Sequence, residues 1–167
     1  MKSSTKQNVQ KYDRQRWIVP FLVNTSATDE GIEYEYDEVI IQADTAEDAL
    51  HKAINARIDD YDRSANVNSF SLGGTPMWLP LEERKSMRQS LIALKAEGIE
   101  SFTYWNGLTP ITMPVAQFEA MLNAVEVYAL RCFNITAQHK ANVSKLTTLE
   151  ALQAYDITEG YPQRLSF

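Results

Sequence analysis

Cys132 and His139 lie seven residues apart on one predicted helix face, the arrangement in which a thiol nucleophile and an imidazole base can approach each other. No third group is placed to orient the base, so the pair reads as a small buried thiol and a half-buried imidazole near a helix end. His51 sits on the first predicted helix among Ala and Ile and reads as a boundary residue instead of a ligand. Asp59, Asp60, Asp62, Ser64 and Asn66 offer the oxygen density of a calcium loop but not its pattern. Counted from Asp60, the sixth position is Ala65 instead of Gly and the twelfth is Ser71 instead of a bidentate Glu. Gly73 and Gly74 precede Thr75 and Pro76, with no Lys and no helix start, so they are not a phosphate cradle. Glu82 and Glu83 are adjacent at a helix start, where carboxylates complement the backbone dipole. One Cys and two His are too few for a Cys/His zinc module, and serine-hydrolase, metalloprotease and kinase signatures are absent. The residues present assemble no enzyme site, no cofactor site and no metal site.

The elements that would position these groups are legible from periodicity. In front stands a polar arm, Met1 to Arg16, holding five basic side chains and one acid (+4), whereas the remaining chain holds eleven bases and 21 acids (−10). Asp29 to Asp48 is the most acidic stretch and contains no Lys or Arg. Zones of opposite sign this close can pair within or between subunits. The net charge of −6 disfavours a general nucleic-acid or anionic-membrane surface, and no run approaches the ~20 apolar residues of a membrane span. The first segment lacks the apolar centre of a secretory signal, so a cytoplasm is the expected place of synthesis.

RWIVPFLV, Arg16 to Val23, is a β-type run in which Pro20 marks an edge strand or bulge. After a turn-rich NTSATDEG, Ile32, Tyr34 and Tyr36 alternate with Glu33, Glu35 and Asp37, and Val39, Ile40 and Ile41 continue as a more buried strand. Asp44 or Thr45 then caps a helix with Ala46, Ala49, Leu50, Ala53, Ile54 and Ile58 on one face. Residues 1–62 thus form a basic arm plus a β-β-α attachment unit.

Residues 63–167 form a second α+β domain. VNSFSLGGTPMWL reads as a hairpin around Gly73 and Gly74, followed by a helix from Leu81 to Glu97 that Gly98 ends. SFTYWNGLTPITM is another hairpin, with Asn106 and Gly107 as its turn pair. After Pro114 comes the longest helix, to about Lys145, whose Phe118, Leu122, Val125, Ala129 and Cys132 form an apolar stripe expected to pack within the monomer against Leu91, Leu94 and the hairpins. A short helix from Thr148 to Tyr155 precedes DITEGYPQRLSF. The fold class is therefore α+β: antiparallel hairpins each followed by a helix, ending in a long amphipathic C-terminal helix.

Three Trp and eight Tyr are many for 167 residues, and exposed aromatics favour contact surfaces. The candidate interface comprises Arg14, Arg16, Trp17, Trp78, Tyr104, Trp105, Tyr161 and Phe167.

From Asp62 to Phe167, about two thirds of the chain, the sequence resembles a family of uncharacterised domains found in tail-gene neighbourhoods of bacteriophages and prophages of gut bacteria. SANVNSFSLGGTPMWLPLEERKSMRQSL, TYWNG, FEAMLNAVEVYALRCFNITAQHKANVSKLTTLEALQAYDITEGYP and the closing LSF carry the resemblance. It implies a virion or virion-assembly role near the tail and supplies no catalytic residues. The expected function is that of a structural protein in the tail, baseplate or fibre-attachment region, present as a homo-oligomer or in several copies beside other tail or fibre proteins. The alternative is a tail-fibre assembly chaperone absent from the mature virion. A tail-associated hydrolase ranks last, since glycan cleavage needs a separated carboxylate pair in a cleft.

Overall fold

The computed structural model of the chain describes all residues from 1 to 167. Three hairpins alternate with helices: β3 (Arg16–Thr28) and β4 (Gly31–Gln42) lead into α1 (Ala46–Arg63), β5 (Phe70–Leu72) and β6 (Thr75–Met77) into α2 (Leu81–Ala96), and β7 (Ser101–Asn106) and β8 (Thr109–Pro114) into α3 (Val115–Val143). A short α4 (Leu149–Gln153) follows, and the arm contributes β1 (Lys2–Ser3) and β2 (Gln10–Lys11). All strand pairs within the three sheets are antiparallel, and the fold is α+β with a long C-terminal helix.

The chain divides into two compact units, one of Met1–Tyr61 with Thr136–Glu159 and one of Asp62–Ile135 with Gly160–Phe167. A boundary next to residue 62 recurs, but Thr136–Glu159 group with the first unit and not with the second. The end of α3 and all of α4 complete the first unit, because Val143 and Leu152 are needed in its core. That core joins them to Val19, Leu50, Ala53, Ile54 and Ile58, all at most 3% exposed. Thr45 caps α1 by accepting from the Asp48 amide at 3.1 Å.

The polar arm is extended, but it does not stand away from its own chain. β1 pairs with the outer edge of β4 at Tyr34 and Glu35, and β2 with the outer edge of β3 at Trp17 and Ile18. To reach both edges the chain crosses the hairpin, and the Gln7 amide donates to the Tyr36 hydroxyl at 3.0 Å on the way. A segment too polar to build a core is thus ordered by backbone pairing, which asks nothing of its side chains.

β3 runs straight through the stretch expected as a turn, and the reversal occurs only at Asp29 and Glu30. Its register shifts between Leu22 and Asn24, just beyond Pro20, and β2 ends its pairing at Ile18 before the proline is reached. Val39 and Ile40 are exposed, contrary to the reading of a more buried strand. Beyond Tyr36 no strand pairs with the outer edge of β4, so water reaches it.

In the second unit Phe118, Leu122 and Val125 of the α3 stripe pack as expected, whereas Ala129 is half-buried and Cys132 is buried outside this core. Phe118, Met121, Leu122 and Val125 share a core with Phe70, Leu79 and Leu91, and Leu94, Phe102, Tyr104 and Ile111 close its margin. A polar ladder runs beside it between α2 and α3: Arg84 to Glu126 at 3.0 Å, Arg88 to Asn123 at 3.1 Å, Lys95 to Glu119 at 2.9 Å. The β7–β8 turn is centred one residue later than expected, on Gly107 and Leu108. Asn106 and Thr109 still pair, Gly107 takes φ +59°, and no non-glycine residue has positive φ, so glycine occupies the first central position that a type II′ turn requires.

Candidate contact surfaces

Of the candidate interface residues, half are structural. Trp17 donates its indole N–H to the Ala43 carbonyl at 3.0 Å and packs on the core of the first unit. Trp78 lies edge-on to Phe70 and Tyr128, with the Arg84 guanidinium 5.5 Å from its ring centroid. Arg84 is itself buried, and its charge is met by Glu126 and by the Leu79 carbonyl at 2.6 Å. Tyr104 is half-buried and donates to Glu83 at 2.8 Å. Burial, reinforced by that carboxylate, pushes its phenol up to about 12. Tyr161 is also partly buried.

The remaining candidates stay accessible to different degrees. Arg14 is exposed, and Arg16 is held by Asp13 and stacks 4.9 Å from the Tyr12 centroid. Phe167 lies edge-on to Phe70 because the closing residues run beside β5, with the Phe167 amide donating to the Ser71 carbonyl at 2.9 Å. Trp105 is 60% exposed on the outer face of β7 opposite Pro110, and Leu108 at the turn is 96% exposed. Thr103 and Thr112 share that face with their hydroxyls 2.7 Å apart.

The groups that suggested chemistry are spent on structure. Burial pushes the Cys132 thiol up, away from the thiolate that a nucleophile needs. His139 is buried with Nδ1 2.8 Å from the Tyr155 hydroxyl and Nε2 2.9 Å from the Glu159 carbonyl. A carbonyl only accepts, so Nε2 carries the proton and the ring serves as a bracket for the segment after α4. Asp59, Asp60 and Asp62 lie on α1, which continues through Arg63, and Lys140 meets Asp59 at 2.5 Å. No group of three or more His, Cys, Asp or Glu side chains is arranged to hold a metal ion. No helix is long and apolar enough to cross a membrane.

A cleft of about 510 Å³ opens in the first unit between the arm, β3, Arg57 of α1 and the segment from Leu152 to Thr158. Its floor is apolar, and the Arg57 guanidinium lies 4.3 Å over the Phe21 centroid. Lys6 and Arg57 are balanced at its margin by Glu150 and Asp156, and the Asp156 carboxylate already accepts from the Thr158 amide and hydroxyl.

Two apolar surfaces escaped the sequence reading. On the far part of the β3–β4 hairpin, Leu22, Val23 and Ile32 are all about half exposed among Asp29, Glu30 and Glu33. The uninterrupted turn-like composition of NTSATDEG hid this projection. On α3, Val127, Leu130 and Phe133 face outward, although their spacing of three was available to be read. Compared with known proteins, the chain matches no protein-family model, no curated sequence and no solved structure.

Proposed function

We propose that this chain is a structural protein of the bacteriophage tail region, an adaptor in the tail, baseplate or fibre-attachment area that works through contacts with other tail or fibre proteins and not as an enzyme. The observation that carries the contact reading is the far β3–β4 hairpin. Residues Val23 to Ile32 are exposed throughout, which leaves a two-stranded projection with apolar side chains and unpaired outer edges. An isolated hairpin of this kind is marginal in water and is stabilised when a neighbour covers its face or edge. Exposed Trp105 and Leu108 on the β7–β8 hairpin add a second contact element of the same type. The tail assignment rests on the motifs between Asp62 and Phe167, above all VEVYALRC followed by NITAQHK and YDITEGYP.

Neither nucleic acid nor membrane is required as a partner, in keeping with the net charge of −6. Mass spectrometry of purified mature virions tests the proposal. A structural component is present in fixed stoichiometry with known tail proteins. Absence from virions, together with binding to a fibre protein in infected cells, would reassign the chain as an assembly chaperone.

A further inference from the structure

The longest helix carries a second periodic row opposite its buried one. Ala116, Ala120, Asn123, Val127, Leu130, Asn134, Ala137 and Ala141 step alternately by four and three along α3, and each is exposed. No charged side chain occupies the row, whereas the outer faces of α1 and α2 carry Glu47, Lys52, Asp60, Glu82 and Lys85. Val127 and Leu130 are 51% and 59% exposed at its centre, and Phe133 beside them is 67% exposed. An outer row with Val and Leu more than half exposed at its centre and no charge along it is a face that a partner can cover.

The row also mirrors itself except at its centre: Ala, Ala, Asn, Val, Leu, Asn, Ala, Ala differs from its reverse only in the exchange of Val and Leu. We propose that this face is a self-association surface, on which two copies of the chain pair antiparallel through α3 about a two-fold axis between Val127 and Leu130. In a two-fold contact, residue i meets j while j meets i, so a row whose halves mirror each other in size and polarity is complementary to itself. Val127 then meets Leu130 of the other copy, Asn123 meets Asn134, Ala120 meets Ala137 and Ala116 meets Ala141. Alternating steps of four and three are those of helices packing at a crossing angle of about 20°, and the alanines permit close approach.

The asparagines fix the register. Arg88 donates to the Asn123 amide oxygen at 3.1 Å, which turns the amide N–H groups of Asn123 toward an acceptor such as the Asn134 oxygen of the other copy. Sliding either helix by one turn sets each amide against Val, Leu or Ala and leaves it unpaired. A helix of 29 residues spans about 43 Å, and a strip about 10 Å wide along it gives on the order of 900 Å² of facing area in all. That lies below the size of stable specific interfaces, in the range of weak and transient ones, and implies a concentration-dependent dimer instead of an obligate one. The pairing does not depend on the tail role and stands or falls separately from it.

Sedimentation of the full chain over a concentration series is expected to show a monomer–dimer equilibrium. Leu130→Glu should weaken it by roughly a hundredfold, since the dimer would bury two carboxylates, each set against Val127 of the other copy, while circular dichroism and melting of the dilute monomer stay unchanged. Register is read from disulfide trapping with two single variants, Ala120→Cys and Ala137→Cys. Mixed and oxidised, they should form the 120–137 heterodimer in preference to either homodimer. A chain that stays monomeric up to about 1 mM, a Leu130→Glu variant that still dimerises, or preferential 120–120 and 137–137 trapping would each overturn the proposal.

Discussion

Tyr104 shows how a residue that looks like a contact group can be committed to its own fold. Its phenol is half-buried against Phe118 and donates to Glu83, and only the neutral form fits both circumstances. The ordinary tyrosine value is 10.0 and the folded one is pushed up to about 12. Between those values the folded chain holds a proton that the unfolded chain has lost, so stability falls as pH rises through this window and is fully supported below pH 10. Alkaline unfolding followed by circular dichroism should therefore steepen above pH 10, and Tyr104→Phe should flatten that step. An unchanged profile in the variant would assign alkaline unfolding to other groups. The same residue marks a limit of sequence reading. Tyr104 and Trp105 are neighbours of similar composition, yet strand alternation sends one inward to Glu83 and the other into water, and the choice depends on which face α3 covers.

At the scale of elements, α3 and the hairpins were legible because period and turn chemistry agree. The buried stripe was readable from its spacing of four and three, and Leu122, fully buried within it, makes the test quantitative. Leu122→Ala should destabilise the monomer by roughly 2 to 5 kcal/mol in chemical denaturation, with the spread set by how far the site can collapse. The arm was not legible, because strand pairing through the main chain leaves little trace in side-chain pattern. Its basic residues pointed to a partner, whereas its backbone groups pair with two residues on each edge of the β3–β4 sheet. Deleting residues Met1 to Lys11 would expose those edges and remove the Gln7 amide from Tyr36. The expected outcome is a loss on the order of 1–3 kcal/mol, accompanied by concentration-dependent association through the freed edges. A deletion variant with the wild-type midpoint that remains monomeric would reduce the arm to a solvated tail.

At the scale of the whole chain, the two units are interleaved in sequence, and no linker composition announces this. The first unit takes Thr136–Glu159 from beyond the second, since Val143 and Leu152 fill the core that α1 and β3 leave open. A run of residues with local periodicity but distant partners gives no sign of which core it serves, and α3 continues without a break through the residue at which its allegiance changes. The consequence is that the β-β-α portion is not a free-standing domain. Residues 1–62 expressed alone lack two fully buried side chains of their core together with Leu146, Leu149, Tyr155 and Ile157 at its margin. This fragment should give a poorly dispersed NMR spectrum and no cooperative melting transition. Joining 1–61 to 136–159 through a flexible glycine-serine linker restores the whole of that core, and cooperative melting should return. A cooperative transition in the 1–62 fragment would show instead that the arm, the hairpin and α1 suffice, and that the segment from Thr136 to Glu159 is only an added layer.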